Sequence, residues 1–217
     1  MAMTPLRITA HLDPLGAPLA MPDGYLHIDA LLAAAVCVRD NVPPILDESD
    51  ILPIEIPVQR EPGGRFHLAS ASLPVDWLCH EKRYTQRRFP VEHAPYMTDM
   101  KRVNLAAGAQ KNFRIPLDNG RVGALVWYLI GELVEIRQLL ALISHLGKRR
   151  GVGYGKVSRW QVDECETWDG FPVVRDGQPL RHLPPDWPGL VDPALRLGNT
   201  SYPYWRRSTE QEIAAPC

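Results

Sequence analysis

The sequence predicts an α+β fold in which strands and helices follow one another in the order βαββαβ. Hydrophobic residues make up 45% of the 217 residues, which is enough to build one core of ordinary size. The 21 prolines are about twice the usual share and argue against an all-helical bundle. Short alternating segments, typical of strands, flank two segments whose apolar residues are typical of helices.

The core is predicted to begin with a strand and a helix. Residues 6–12 alternate and contain β-prone side chains, so we expect the first strand there. Residues 13–24 are rich in Pro and Gly and predict a loop. Asp29 then suits the N-terminal cap of a helix whose apolar run is residues 30–38.

A hairpin and a long insertion are predicted next. Residues 51–59 alternate but contain two prolines, which suits an edge strand, and residues 65–73 are predicted to be the returning strand. The periodicity fades from residue 74 onward. We therefore expect residues 74–110 to be a thumb-like insertion outside the core, since a loop of that length is commonly functional.

The second half of the core is predicted as another hairpin, a helix and a last strand. Residues 111–117 and 122–130 flank an Asn-Gly pair at 119–120, a strong signal for a hairpin turn. The apolar residues of 131–146 form a wide helical face, and residues 157–162 are β-prone.

This order of elements is that of a ferredoxin-like domain, which we place at residues 1–165. Such a domain has an antiparallel sheet with helices on one face, and its other face is free to hold an extended ligand such as single-stranded RNA. Residues 166–217 are rich in turns and predict an irregular C-terminal extension with a small hairpin about Asp176-Gly177.

The charge of the chain is divided along its length. The formal net charge is only −1, but residues 81–159 contain 15 Lys and Arg against 6 Asp and Glu, a net charge of +9. The remaining residues carry a net charge of −10. This pattern indicates a polyanion bound to one face, with protein neighbours or solvent at the others, although a solvated charged face would give the same pattern.

The glycine-rich loop, residues 144–157, is the segment most indicative of phosphate binding. A backbone with several glycines can approach a phosphodiester closely, and flanking cations hold phosphates by charge. The loop does not follow a strand and open a helix, which excludes the dinucleotide-binding and Walker A motifs. The candidate RNA contacts in this loop are Gly147, Lys148, Arg149, Arg150, Gly151, Gly153, Tyr154, Gly155 and Lys156.

Two alternatives remain open for the loop. It could be a tight helix-to-strand connection with solvated cations, in which Gly147 occupies the position after the helix C-cap. Tyr154 could stack on a base or pack in the core.

A second group of candidate RNA contacts lies in the insertion and just after it. Basic residues alternate there with aromatic ones, among which Tyr84 and Phe89 are candidates for base stacking. The alternative is an exposed basic strand or helix. The candidates are Lys82, Arg83, Tyr84, Arg87, Arg88, Lys101, Arg102, Lys111 and Arg114.

No cofactor or metal is expected. The histidines lack the spacing of a metal site. Asp163, Glu164 and Glu166 resemble a carboxylate cluster, and Glu164 and Glu166 would share one face of a strand, but a solvated strand end is the simpler interpretation. Four scattered cysteines without a Cys-x-x-Cys pair predict neither a zinc site nor a disulfide framework. The chain shows no signal peptide and no apolar run long enough to span a membrane, so we expect a reduced, cytoplasmic protein.

The loop and the opening of the chain resemble the RAMP superfamily of CRISPR proteins. That superfamily has a ferredoxin-like or RRM-like fold with a glycine-rich loop between its last helix and last strand, where this sequence has residues 147–155. The first strand, the Pro/Gly loop and the segment His27-Ile-Asp-Ala-Leu-Leu-Ala are similar to the opening of subunits that cap the five-prime handle of the CRISPR RNA. The resemblance covers residues 5–165 and is closest to the handle-binding subunit of type IV systems.

The resemblance implies a non-catalytic subunit of a ribonucleoprotein effector. Its partners would be the CRISPR RNA, the backbone-forming RAMP subunits, the large subunit and the target DNA near the protospacer-adjacent motif. Related RAMP endonucleases use a histidine near the first helix, so a metal-independent endoribonuclease with His27 as general acid or base is the first alternative. A capping or packing role for His27 is the simpler reading. An interaction module without nucleic acid is the second alternative for the whole chain.

Overall fold

The computed structural model describes residues 2–13, 18–21, 24–42, 54–90, 92, 96, 104–108 and 110–216. This part of the chain is a mixed α/β structure with two helices of nine residues or more and three antiparallel sheets. The strands of the largest sheet are β1 (Thr4–Leu12), β2 (Leu19–Ala20), β3 (Leu73–Arg87), β4 (Phe113–Gly131) and β5 (Val157–Glu164).

The long strand β4 organises the main sheet. One edge of β4 pairs with β1 along residues 124–131 and with β2 at residues 119–120, and the opposite edge pairs with β3. On its other side, β1 pairs with β5. The four long strands therefore lie in the order β5-β1-β4-β3, and every neighbouring pair is antiparallel.

Apolar side chains of alternate sheet residues form the main core beneath helices α1 (Ile28–Arg39) and α2 (Leu133–Ala141). In β1, Ile8 lies opposite Trp127 of β4 and Val162 of β5, and all three side chains are buried. Burying side chains of this size contributes about 1.5–3 kcal/mol each, so this alternation fixes which face of the sheet the helices cover.

Strand β1, helix α1 and strand β5 confirm the predictions for those segments, but the helix boundaries differ. Asp29 was expected to cap α1, whereas His27 occupies the N-cap position and Asp29 lies in the first turn. Helix α2 ends at Ala141 instead of continuing to residue 146. The reason is that the following backbone pairs with the last strand, since Val157 N–H donates to the Ser144 carbonyl at 2.9 Å.

Two predictions about strands in the middle of the chain are wrong. Residues 74–87 were assigned to an irregular insertion, but they form most of β3. The turn expected at Asn119-Gly120 is absent, because β4 runs straight through it. Both residues pair with β3 on one side and with β2 on the other, and these tertiary hydrogen bonds outweigh the local turn preference.

The hairpin expected from residues 51–59 and 65–73 forms only next to its turn, and residues 51–53 lie outside the described residues. Arg60 and His67 form an antiparallel bridge there, and Leu68 N–H donates to the Gln59 carbonyl at 2.7 Å. Beyond this bridge the segment bonds to the end of β4, through Val58 with Gly131 and Ala69 with Leu129, so the two long strands that were expected do not form. Strand β3 takes the place beside β4 in the sheet that residues 65–73 were expected to fill.

The C-terminal extension contains more regular structure than expected. Its hairpin of β6 (Val174–Arg175) and β7 (Gln178–Pro179) confirms the turn predicted at Asp176-Gly177. Strands β8 (Leu195–Gly198) and β9 (Gln211–Ala214) form a third sheet. A second apolar cluster holds the extension together and comprises Phe66, Val173, Val174, Leu183 and Ala214.

The extension also covers part of the sheet face opposite the helices. Tyr128 of β4 lies on that face, and its ring contacts Trp168 and Phe171 edge-on, with centroids 4.9 and 6.1 Å away. The face that was expected to be free for an extended ligand is therefore partly occupied by the chain itself.

Candidate nucleic-acid interface

The glycine-rich loop is closed at its base by backbone hydrogen bonds. His145 and Lys156 form an antiparallel bridge, and Leu146 N–H donates to the Gly155 carbonyl at 2.8 Å. At the tip, residues Arg150–Val152 form a single 3₁₀ turn. The loop is consequently a defined, hairpin-like projection.

The glycines of this loop divide into two kinds. Gly147 and Gly155 have φ of +73° and +63°, and a Cβ atom at either position would clash, with the Ala20 carbonyl and the Leu146 carbonyl respectively. Around Gly151 and Gly153 a Cβ atom would meet nothing within 4 Å. The outer two glycines are thus required by packing, and only the inner two leave backbone open to a ligand.

The cations of the loop lie around its open tip. Lys148, Arg149 and Arg150 are all exposed. Lys156 is exposed too, although its Nζ lies 3.5 Å from Oδ2 of Asp13. Tyr154 is half-buried, so the structure leaves both of its predicted roles open.

A two-stranded arm extends from the core sheet, formed by residues 79–87 of β3 and residues 113–121 of β4. Strand β1 pairs with β4 only from residue 124 onward, so most of the arm has no third strand. The arm residues predicted to contact RNA are all exposed, and they are Lys82, Arg83, Tyr84, Arg87 and Arg114. Arg88 and Lys111, just beyond the paired strands, are exposed as well.

The arm presents cations on both of its faces. Side chains alternate along a strand, so Lys82 and Tyr84 lie on one face and Arg83 and Arg87 on the other. The Arg114 guanidinium lies 4.0 Å from the centre of the Tyr84 ring, which is 49% exposed. This pair forms a cationic, aromatic surface of the kind on which a base can stack.

Two parts of the predicted contact set are not placed at this surface. Phe89 is buried, so its ring packs inside the protein and is not available to stack on a base. Its backbone N–H donates to Asn112 Oδ1 at 2.6 Å. Lys101 and Arg102 lie outside the described residues.

Strand β2 joins the arm to the glycine-rich loop. On one side Ala20 pairs with Asn119 of the arm, and on the other its carbonyl accepts a hydrogen bond from Lys148 N–H at 2.9 Å. One crevice is lined by Gly120 and Arg121 from the arm and by Gly155 and Lys156 from the loop. The base of the arm and the base of the loop therefore adjoin, and Arg121 and Lys156 are the cations that line this crevice.

Two features of this junction, Arg121 and strand β2, were missed from the sequence. Arg121 follows the Asn-Gly pair and was assigned to a turn, although the basic side chain was a usable signal. The dipeptide Leu19-Ala20 lies in a Pro/Gly-rich loop and carries no pattern of its own. Only its hydrogen bonds to both neighbours show that it is a strand.

The candidate catalytic residue, His27, is buried beneath the C-terminal extension. Its ring stacks on Tyr204 with centroids 3.8 Å apart and meets His182 edge-on at 4.5 Å. Neither ring nitrogen has a hydrogen-bond partner among the described residues. Burial lowers the pKa of His27 well below its usual range, and nearby His182 and Arg181 lower this pKa further.

The stability of the protein should therefore fall as the pH decreases from about 7 to 5. The folded state keeps His27 neutral, whereas the unfolded state takes up a proton near the ordinary pKa of about 6.5. Burial also lowers the pKa of His67, which adds to the effect. Each histidine can remove up to about 1.4 kcal/mol of unfolding free energy per pH unit, measurable by urea unfolding at pH 7.5, 6.5 and 5.5.

The variant His27→Phe serves as the control for this pH dependence. It keeps an aromatic ring against Tyr204 but cannot take up a proton, so about half of the pH dependence should disappear. An unchanged slope in this variant would contradict the assignment.

Neither a metal site nor a membrane-spanning helix is found in the described part of the chain. No three His, Cys, Asp or Glu side chains come together there as a metal-binding group, and Glu164 and Glu166 remain exposed. None of the helices described is long and apolar enough to cross a bilayer.

A family model described as CRISPR type IV associated protein Csf3 matches residues 80–216, more than half of the chain. The chain belongs to this family. Csf3 is a RAMP-type subunit, so the family resemblance drawn from the glycine-rich loop is confirmed. No curated protein matches the chain.

The Csf3 match includes the arm, the glycine-rich loop and the whole C-terminal extension. It begins after β1 and α1, on which part of the resemblance was based. It continues to residue 216, whereas the resemblance ended at residue 165. The match therefore includes the C-terminal extension through residue 216.

Proposed function

We propose that this Csf3 protein is a non-catalytic subunit of a type IV CRISPR ribonucleoprotein that binds and caps the five-prime handle of the CRISPR RNA. The observation that carries the proposal is the junction at β2, where Ala20 bonds to the arm and to the glycine-rich loop. Two flexibly separated basic segments would bind RNA weakly. Held together by one strand, they offer a surface whose geometry is fixed before RNA binds.

The order of the strands supports a ferredoxin-like core for this subunit. A βαββαβ chain of that kind places its last strand beside the first and its second beside the third. The order β5-β1-β4-β3 with antiparallel neighbours has that arrangement. We place the core at residues 1–165 and propose that the arm does the work expected of a thumb, although only residues 79–87 of the arm belong to the insertion predicted at residues 74–110.

The chemistry of the proposed surface is electrostatic and geometric. Lys148, Arg149 and Arg150 would neutralise phosphates, and the open backbone at Gly151 and Gly153 lets a phosphodiester approach. On the arm, Tyr84 and Arg114 would stack with an unpaired base. Such contacts hold a single strand in a set path without reading much sequence.

We also propose that this subunit helps to assemble the complex. Its proposed partners are the CRISPR RNA, the backbone-forming RAMP subunits, the large subunit and the target DNA near the protospacer-adjacent motif. The burial of His27 supports a non-catalytic role, because an acid or base must reach its substrate.

Removing the loop cations tests the proposal. The triple variant Lys148→Gln, Arg149→Gln, Arg150→Gln should bind a synthetic single-stranded handle RNA about tenfold more weakly near 100 mM salt. The slope of log affinity against log salt should become shallower by about 2, since each lost phosphate contact removes about 0.7. Fluorescence anisotropy over a salt series measures both quantities.

The matched control removes three exposed arginines outside the loop and the arm, as Arg60→Gln, Arg65→Gln, Arg175→Gln. This control should leave the RNA affinity and its salt dependence nearly unchanged. Equal losses of affinity in the two variants would mean that RNA is attracted by the overall charge of the protein and not by a site at the loop. Unchanged binding of the loop variant would overturn the proposal and favour an interaction module without nucleic acid.

Two further comparisons address capping and catalysis. If the five-prime end is capped, an RNA that carries the handle sequence at its three-prime end should bind less tightly than an RNA that carries it at its five-prime end.

The second comparison tests catalysis. Incubation of the protein with repeat RNA in EDTA should leave the RNA intact. Cleavage that His27→Ala abolishes would instead establish the endoribonuclease.

A further inference from the structure

Helix α1 borders a groove that lies beside the glycine-rich loop. Its volume is about 330 Å³, within the range of about 300–1,000 Å³ that is typical of small-ligand sites. The residues that line it come from α1, from positions 142–145 after α2 and from the loop tip at Arg150 and Gly151. The groove therefore adjoins the loop cations that we propose to bind phosphates.

Aliphatic side chains form most of the groove. Four residues of α1 that line it share one face of the helix, because they are spaced as i, i+3, i+4 and i+7. They are Leu31, Ala34, Ala35 and Val38. The two alanines are short, so they leave a shallow, flat floor between the longer side chains on either side of them. Val38 is 64% exposed and Leu142 of the adjoining wall is 46% exposed, so this apolar surface is open to a ligand.

Two polar side chains also line the groove. Ser144 Oγ and His145 Nδ1 lie 2.9 Å apart in a hydrogen bond. The second ring nitrogen of His145 has no partner in the described part of the chain, and the hydroxyl keeps a further acceptor position. The backbone of both residues is fixed by the last strand, since the Ser144 carbonyl accepts from Val157 N–H and His145 forms a bridge with Lys156. The groove therefore offers a placed polar edge beside an aliphatic floor.

The charge beside the groove is positive and is not balanced. Arg150 is the charged side chain among the described residues that line the groove, which include no Asp or Glu. Together with Lys148 and Arg149, it forms no ion pair within the described part of the chain. The groove thus suits a ligand that joins a flat, largely apolar group to a negative charge.

We propose that this groove holds one unstacked base of the RNA strand that crosses the loop tip, with its phosphate at Arg150 and its polar edge at Ser144 and His145. The ring lies on the aliphatic floor of α1. This inference rests on the proposed function, because the strand is the one that the loop cations bind. A base inside a duplex is stacked and paired and cannot enter, so the groove selects a single strand.

Two observations favour a base over an apolar side chain of a partner protein. Lys148, Arg149 and Arg150 are three consecutive exposed cations, which suit the repeated charges of a phosphodiester chain. Arg150 and Gly151 belong both to the loop tip and to the groove, so a base joined through its sugar to a phosphate at the tip lies next to the groove. A single acidic side chain would leave the other cations of the tip without a partner.

The first experiment uses the full chain and a synthetic single-stranded handle RNA from which one base is removed at each position in turn. At the position that enters the groove, removal of the base should weaken binding by about fivefold or more. The variant Ala34→Leu fills the groove, and it should bind the complete RNA about fivefold more weakly and lose its sensitivity at that position. Ala34 is exposed and leucine is a good helix former, so the variant should fold.

The arm and a matched variant supply the controls. A base that stacks on Tyr84 and Arg114 should remain equally sensitive in Ala34→Leu, because the arm is unchanged. The variant Ala194→Leu makes the same substitution at an exposed alanine of the C-terminal extension, and it should keep the pattern of the unmodified protein. If the loop-cation variant binds RNA weakly but Ala34→Leu keeps every sensitive position, the base site is refuted and the RNA surface stands. If the loop-cation variant binds RNA normally, both proposals fail.

A titration followed by nuclear magnetic resonance tests the class of occupant directly. The probes are the four nucleoside five-prime monophosphates, ribose 5-phosphate and the peptide acetyl-Glu-Leu-Leu-Glu-amide. At least one nucleotide should shift the methyl signals of Leu142 more than ribose 5-phosphate does, and Ala34→Leu should abolish this shift. Equal shifts with ribose 5-phosphate, or larger shifts with the peptide, would overturn the proposal, and the second result would identify a docking site for a partner protein.

Discussion

Replacing Arg181 with Ala is expected to lower the free energy of unfolding by about 3–5 kcal/mol. Arg181 is fully buried, and its guanidinium fills a site made by the first turn of α1, the segment before β3 and the C-terminal extension. Its hydrogen-bond partners are the carbonyls of His67, Ala69, His182 and Thr200, the Tyr204 hydroxyl and the Asp29 carboxylate.

The size of this effect comes from what the substitution leaves behind. Asp29 is 1% exposed and would remain as a buried carboxylate without its cation, accepting only from Tyr204 and Ala30 N–H. Four carbonyls would lose a buried donor at the same time, and each unsatisfied group adds its own desolvation cost. Chemical denaturation at pH 7.5 measures the change.

Two variants give the comparison that interprets the result. Arg175→Ala removes an arginine whose ion pair with Asp176 is solvent-exposed, and it should change stability by less than about 0.5 kcal/mol. Arg181→Lys keeps the charge but loses the planar fork that reaches several acceptors, so its cost should be intermediate. Similar stability of Arg181→Ala and the unmodified protein would mean that the extension does not depend on this residue.

The variant Gly155→Ala is expected to cost about 2–5 kcal/mol and to disrupt the glycine-rich loop. Gly155 has φ of +63°, a conformation that costs an L-residue about 1–2 kcal/mol. The added Cβ atom would also meet the Leu146 carbonyl and lie 2.8 Å from Leu19 Cδ1. The Leu146 carbonyl is fixed backbone at the base of the loop, and Leu19 belongs to β2. Overpacking against them therefore adds about 1–3 kcal/mol.

The same loop offers graded controls for this prediction. Gly151→Ala enters open space without a positive φ and should be neutral within about 0.5 kcal/mol. Gly153 has φ of +86° in open space, so Gly153→Ala should cost only the conformational part, about 1–2 kcal/mol. In urea unfolding, the loss of unfolding free energy should be smallest for Gly151→Ala, larger for Gly153→Ala and largest for Gly155→Ala. Equal losses would refute the division of the glycines into packed and open positions.

Local patterns correctly predicted the elements in which one face is buried and the other is more polar or more exposed. Strand β1 alternates because Leu6 and Ile8 face the helices, and α1 carries a continuous apolar run for the same core. The hairpin at Asp176-Gly177 was also predictable, because both residues adopt positive φ there. In these segments short-range preference and tertiary packing agree.

The patterns failed where hydrogen bonds from distant strands decide the conformation. The described side chains of residues 74–87 are exposed, so this stretch of β3 lacks the buried alternate residues that make a strand detectable in a sequence. At Asn119-Gly120 the turn preference is genuine, but pairing on both edges of β4 overrides it. Nothing in the sequence around Arg181 indicates that this arginine is buried.

By itself, the sequence determined the α+β class, the basic middle of the chain, the position of the glycine-rich loop and the RAMP family. Each of these depends on composition or on residues close together in the chain. Only the tertiary structure decided that β2 joins the loop to the arm, that the extension seals His27 beneath Tyr204, and that α1 and the loop tip share one groove. Those arrangements depend on hydrogen bonds and packing between residues far apart in sequence, which leave no local pattern to read.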